Sequence, residues 1–559
     1  MGGIHSLIDK NRDETQSYPQ ADTKFGIVEG KQIVSEEGRF NVFLGIPYAK
    51  PPVGELRFQK PQPPSPWVGV RTARKYEKRC EQKDYIWDKM ELKVGKSEDC
   101  LYLNVMAPAS LEEGEKIPVL VYIHGGGYMI DSAVKYNYRN VCRTLVRHGV
   151  VVVTIQYRLG FLGYFTTGNA SCPGNFGLWD QRAALLWIKE NISNFGGDQD
   201  RITVSGQSAG AASVDLLSLS PLSRDLFKSK VLMGGTADTM WAVSETQKVV
   251  EYCRKHAIKC GFKRAGKEEN AEWTDDDNAQ MVAFMKRIPG SMLGASMIQN
   301  PDLFRSGRLP LSPVIDGDIL PKPIAELRAE APSKSAMVGV CQFEALLFVA
   351  LGFVPSNTKQ LDRILDVAAS IFAANGENPN KARNEIRRIY EDTTVNRKNK
   401  KFVAETFITV MSDMINNLSA YRFCQNAVKN ESNVYFYTFH HFNPDSSRFL
   451  NFLIPFKGAT HCTELQYLFD VNLFMCPYRR TRKDRKVLQD VTRMWTNFVK
   501  FGNPNGDDSF DFGYQWLPVE SQHPERHLKI REMSAMSDTF EHGRIEKLAK
   551  IFEGISLHV

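Results

Sequence analysis

Arg201-Ile202-Thr203-Val204-Ser205-Gly206-Gln207-Ser208-Ala209-Gly210 is the stretch that decides the fold. Ile202–Ser205 reads as a short strand, and the small residues from Ala209 onward open a helix. Between them stands Gly-x-Ser-x-Gly, the layout of a nucleophile elbow. Such a turn is so sharp that glycines must flank the serine, and it pushes the serine hydroxyl out above the sheet. The helix starts at the serine, so its unpaired N–H groups favour negative charge there. Five residues are a short match, and the surrounding sequence has to carry the rest of the argument.

Upstream, His124-Gly125-Gly126-Gly127 follows directly on a predicted strand, Pro118–Ile123. A glycine run can be a plain flexible turn. Paired with an elbow further along, it supplies backbone N–H groups that approach a developing oxyanion closely, with one more N–H from the residue after the nucleophile, Ala209.

The chain has 559 residues, 42% hydrophobic and 24% charged, as expected of an ordinary soluble globular protein. Its net charge of +7 is mild and spread thinly, which argues against a nucleic-acid partner. No apolar stretch is long enough to span a membrane, and the longest runs, Ile117–Ile123 and Val150–Ile155, have the length and β-branching of central parallel strands. Strand-like segments (119–123, 150–156, 202–205, 338–341, 434–439) alternate with helix-like ones (178–191, 487–501). That pattern predicts an α/β fold with a large, mostly parallel sheet covered by helices on both faces. The polar stretches 263–280 and 378–400 read as surface excursions. With no linker to split the chain, the expectation is one domain over 21–555 behind a flexible segment, 1–20.

The start, Met1-Gly2-Gly3-Ile4-His5-Ser6, lacks the basic and apolar regions of a secretory signal, which suggests a cytoplasmic protein. It matches the acceptor pattern for myristoylation of Gly2. One acyl chain binds membranes only marginally and needs a second signal. The basic run Arg479-Arg480-Thr481-Arg482-Lys483-Asp484-Arg485-Lys486 could supply it, although such runs are more often solvated helix faces. The ten cysteines form neither a disulfide scaffold nor a metal pattern, so no metal or cofactor is expected. Cys253 and Cys260 lie too far apart along a predicted helix to bridge. Asn169, Asn191, Asn417 and Asn430 open Asn-x-Ser sequons, which matter only on the secretory route.

Further motifs extend over nearly the whole chain: Phe43-Leu44-Gly45-Ile46-Pro47-Tyr48-Ala49, Ser97-Glu98-Asp99-Cys100-Leu101-Tyr102-Leu103-Asn104-Val105, Gly174-Asn175-Phe176-Gly177-Leu178-Trp179-Asp180-Gln181, Asp316-Gly317-Asp318 and Gly502-Asn503-Pro504-Asn505. With these the chain resembles the type-B carboxylesterase and cholinesterase family of α/β hydrolases. The resemblance implies a Ser/Glu/His triad of Ser208, Glu344 (in Val338-Gly339-Val340-Cys341-Gln342-Phe343-Glu344) and His461 (in Gly458-Ala459-Thr460-His461-Cys462-Thr463-Glu464). It also implies an oxyanion hole from Gly126, Gly127 and Ala209, structural ion pairs Arg57–Glu98 and Arg158–Asp180, and a disulfide between Cys80 and Cys100 that a reducing compartment would leave open.

Two departures stand out. Gly234 occupies a place where the family often has a serine behind the triad acid, which leaves the hydrogen bonding of Glu344 open. Met90 stands at the spacing where cholinesterases carry a cation-binding tryptophan, with Trp87 three residues off, so choline esters are not the expected substrates. Gln207 before the serine also occurs in insect juvenile-hormone esterases, a hint towards apolar esters. The implied function is a serine carboxylic-ester hydrolase for uncharged, fairly apolar small-molecule esters. The alternatives are a catalytically silent adhesion or scaffold relative, and an acyltransferase using the same triad.

Overall fold

The computed structural model describes residues 18–557 apart from 86–87, 90–91, 265, 267–270, 297–307, 353–355, 374–377, 391–396, 448–452, 473–477, 508–511 and 556. Its centre is an eleven-stranded sheet. In chain order the strands are β1 (Lys31–Ser35), β2 (Gly38–Pro47), β3 (Tyr102–Pro108), β4 (Ile117–Ile123), β5 (Val151–Ile155), β6 (Gly197–Gln207), β7 (Ser229–Met233), β8 (Ala336–Cys341), β9 (Val434–Phe439), β10 (His527–Ile530) and β11 (Ala535–Ser537). In space they run β1-β2-β3-β5-β4-β6-β7-β8-β9-β10-β11. From β5 to β10 every neighbouring pair is parallel, and the antiparallel pairs are confined to the two edges.

Strand β4 shows why the middle is covered on both sides. All seven of its residues are buried. Side chains alternate along a strand, so Val119, Val121 and Ile123 enter one core while Leu120 and Tyr122 enter the other. The first core is filled by helices α1 (Phe176–Asn191) and α2 (Ala209–Leu219), and the second by helix α5 (Arg482–Phe501), whose Val487, Val491, Trp495 and Phe498 face inward. The expected α/β architecture is therefore present. Helix α5 opens on a capping box, with Thr481 and Asp484 bonding each other's backbone, and closes at Gly502 in the left-handed region.

Strand pairing begins at Gln20, where Gln20–Thr23 pairs with Gly26–Glu29, and residues 1–17 lie outside the described residues. The polar stretches carry helices: Asp275–Met285, whose buried Met281 and Met285 lie just beyond the stretch 263–280, and Pro379–Tyr390, which buries Ile386 and Tyr390. In the second, one apolar face spread thinly through a charged sequence hides the burial. Gly2 lies outside the described residues. Among those described, no helix is long and apolar enough to cross a membrane. In the basic run, Arg480, Lys483 and Lys486 are paired with Asp470, Glu532 and Asp490.

Candidate active site

Strand β6 ends at Gln207, and Ser208 adopts φ 57 and ψ −126, an arrangement that L residues rarely take. The geometry explains the flanking glycines. A Cβ on Gly206 would sit 2.3 Å from the Gly210 carbonyl carbon, and one on Gly210 would sit 2.1 Å from the Ile123 carbonyl oxygen. Both obstacles are backbone, so no side chain fits at either place. The Ser208 N–H donates to the Met233 carbonyl at 2.8 Å, which pins the turn to β7.

Glu344 lies three residues beyond β8 and His461 in the segment after β9. A backbone bond from Phe343 N–H to the Ala459 carbonyl, 2.9 Å, brings their loops together. The Glu344 carboxylate is fully buried. Its Oε1 accepts the Cys341 N–H at 2.6 Å, and its Oε2 accepts both the Asn416 amide at 2.7 Å and His461 Nδ1–H. These contacts answer the question that Gly234 raised: the carboxylate is fully engaged without a serine. The other imidazole nitrogen, Nε2, accepts from Gln207 Nε2 at 3.1 Å. This pattern assigns the proton to Nδ1, and His461 and Ser208 line the same cavity. Burial pulls the His461 pKa down. The Cys462 sulfur and the Glu344 carboxylate push it up, and the balance stands well above the ordinary value.

Gly126 and Gly127 line the space beside Ser208, and Ala209 heads helix α2. The N–H groups of these three residues make no hydrogen bond among the described residues. Two compartments meet at Ser208, Gly127 and Phe348. One is an apolar cleft of about 20 Å³ closed by Trp241, Leu309, Met411 and Ile415. The other, of about 100 Å³, holds His461 and Gln207 and is lined by both apolar residues (Leu347, Leu351, Leu465) and charged ones (Asp88, Asp131, Lys135).

Comparison with known proteins fits this geometry. The model of the carboxylesterase family matches residues 17–547. Esterase cest-33 of Caenorhabditis elegans is 37% identical over 99% of this chain and 96% of its own length. The medium-chain fatty acyl-CoA hydrolase precursor of Anas platyrhynchos is 33% identical over 95% of this chain and 94% of its own. The chain belongs to the carboxylesterase family. Neuroligin-2 of Homo sapiens is also similar, 32% identical over 88% of this chain and 61% of that protein.

Other histidines, ion pairs and cysteines of this carboxylesterase are structural. His124 is buried and stacks on Tyr157, with ring centroids 4.5 Å apart. His440 bonds Thr438, and His441 bonds Asp484. Arg57 Nε meets Glu98 at 2.7 Å, and Arg158 grips Asp180 through two bonds of 2.7 Å. Cys80 and Cys100 are bridged, with their Cα atoms 5.0 Å apart, whereas Cys253 and Cys260 are free thiols. Trp87 and Met90 lie outside the described residues. The sequence reading missed Asn416 and the walls of the apolar cleft. Gln207, which the sequence offers only as a substrate hint, touches His461.

Proposed function

We propose that this carboxylesterase cleaves its ester through an acyl-enzyme on Ser208, with His461 as general base, Glu344 holding its tautomer, and Gly126, Gly127 and Ala209 as oxyanion donors. The observation that carries the reading is the contact pair on the imidazole: Nδ1–H is committed to Glu344, so Nε2 is the atom that can take a proton. Neutral His461 accepts the Ser208 proton as Oγ attacks the carbonyl carbon. The carbonyl oxygen gains charge within reach of the three N–H groups, and the imidazolium then protonates the departing alkoxide. Water repeats the cycle to free the acid.

The two compartments divide the substrate. An alcohol must leave beside the group that protonates it, and His461 faces only the larger compartment. The acyl chain then occupies the closed cleft of Trp241, Leu309, Met411 and Ile415, where only apolar groups avoid an unpaired polar cost. This favours uncharged esters with short, apolar acyl groups. An alcohol in place of water would make the same site an acyltransferase. The similarity to neuroligin-2 keeps a catalytically silent relative as the rival reading, and the intact triad and glycine donors stand against it.

The test is hydrolysis of p-nitrophenyl acetate and butyrate by purified protein beside Ser208→Ala. Turnover that vanishes in the variant supports the reading, whereas no turnover by folded wild type favours the silent relative. A cytoplasmic location with Gly2 myristoylated is a separate proposal, supported only by the Met-Gly-x-x-x-Ser start. The mass of the N-terminal peptide tests it.

A further inference from the structure

We infer that Asn416 is a positioning residue for the triad, holding the Glu344 carboxylate in the orientation that fixes His461. The inference rests on the triad reading above. Asn416 is buried and donates through Nδ2 to Glu344 Oε2 at 2.7 Å, the same oxygen that receives His461 Nδ1–H. Its amide orientation is set by that contact, because the flipped amide would turn an oxygen onto a carboxylate. Gly234, where the resemblance suggests a serine, offers no side-chain donor. Gly234 has φ 62, and a Cβ there would stand 3.0 Å from His461 Cε1, so the ring packs directly on bare backbone.

The local backbone explains how a helix delivers this amide. Helices α3 (Lys400–Ser412) and α4 (Leu418–Lys429) are joined without a break through a π-helical turn, Asp413–Asn417. A π-turn adds one residue to the helical round and re-aims the side chains on it. The turn is anchored at its first residue: Asp413 accepts from Arg544 Nε at 2.6 Å, from the Tyr390 hydroxyl at 2.9 Å and from Asn417 Nδ2 at 2.8 Å. On the other side, Ser412 Oγ accepts the Ala345 N–H at 3.0 Å, which ties the same helix to the residue after Glu344. Asn416 Oδ1 is buried with no hydrogen-bond partner among the described residues. An amide that leaves its oxygen unsatisfied is held there for its N–H, since an unpaired buried acceptor is a cost that packing alone would avoid.

Losing this donor concentrates charge on Oε2 and strengthens its hold on the imidazolium. The titratable groups facing the pair are Cys341 and Glu464 beside Glu344, and Cys462 beside His461. Asn416→Leu keeps the bulk and removes the donor, and Asn416→Asp keeps the shape and adds a negative charge. Both are expected to lower kcat about ten- to a hundredfold, the range for one hydrogen bond to a charged group, with KM nearly unchanged. In both, the acid limb of kcat/KM moves to higher pH by about one unit. The experiment measures kcat, KM and pH profiles of both variants beside Glu344→Gln, with thermal midpoints recorded. Wild-type kcat and an unmoved limb in a folded variant overturn the inference, and Asn416→Asp decides if Asn416→Leu does not fold. Full activity in Glu344→Gln would instead sink the triad reading.

Discussion

Gln207 Nε2 lies 3.1 Å from His461 Nε2, the nitrogen that takes the serine proton in the proposed mechanism. The residue before Ser208 is thus in contact with the proposed base, and its amide competes for the lone pair that this mechanism uses. Gln207→Glu replaces a donor with an anion that favours imidazolium. The expected outcome is an acid limb displaced to higher pH, by about one unit for a charge at this distance partly screened by the cavity. Steady-state pH profiles of wild type and variant check it, and superimposable limbs would mean that the amide has no electrostatic access to the base.

The wild-type profile carries its own expectation. His461 binds its proton more tightly than a free imidazole because Cys462 and Glu344 outweigh the effect of burial. Protonated His461 cannot act as base, so kcat/KM should rise with pH through a midpoint above the ordinary value of about 6.5. Glu464 is buried beside Glu344, which pushes its pKa up to about 7, so a second titration falls in the same window. A profile already flat from pH 6 upward would contradict this.

Asp215, on helix α2 just behind the elbow, is buried and receives Lys230 Nζ at 2.8 Å, Arg328 Nη2 at 2.7 Å and the Ala237 N–H at 2.8 Å. Burial opposes its charge, but Arg328 and Lys230 outweigh burial and hold its pKa well below the carboxylate range. Lys230 is itself pulled down by burial and by Arg328, so the guanidinium is the firmer partner. Asp215→Asn leaves the buried Lys230 without its carboxylate, while Arg328 keeps Asp238 at 2.8 Å, and should cost about 3 kcal/mol of stability at pH 7. Because the folded pKa is depressed, Asp215 stabilises the fold above its unfolded pKa of about 3.9 and loses that effect as pH falls. Urea titrations at pH 7 and pH 3 should therefore show a gap between the two proteins that narrows in acid.

In the proposed division of the substrate, the apolar cleft sets acyl length. Trp241 closes one wall, its indole N–H donating to the Ile415 carbonyl at 3.1 Å. Trp241→Ala should raise the hexanoate-to-acetate ratio of kcat/KM about tenfold or more, as expected when room for extra methylenes is opened. An unchanged ratio would place the acyl chain in the other compartment.

The Cys80–Cys100 bridge bears on location, because cytosolic thiols are kept reduced. With the bridge closed, at most eight of the ten cysteines can react with a thiol reagent in denaturant without reductant. Ten reactive thiols in protein from its own cells would mean that the bridge is open there and would favour the cytoplasmic proposal.

The parts legible in the sequence are those that backbone geometry writes into it. Gly206 and Gly210 are forced by contacts with Gly210 and Ile123 backbone, and the β-branched runs of β4 and β5 are forced by burial on both faces. Glu344 and His461 could be found because their loops carry recognisable text. The cleft could not, since Trp241, Leu309, Met411 and Ile415 come from separated segments with no spacing rule to join them. Asn416 was invisible for a different reason. No motif in residues 400–429 marks a site, and it is the π-turn, held by Asp413 and Arg544, that brings the amide to Glu344.

The central claim is covalent chemistry at Ser208. Its most direct test is peptide mass analysis after reaction with diethyl p-nitrophenyl phosphate, which phosphorylates an activated serine with release of p-nitrophenol. The account predicts one diethylphosphoryl group on the peptide containing Ser208, with loss of esterase activity in step and no labelling in His461→Ala. Full activity with Ser208 unmodified, or equal labelling without His461, would contradict it.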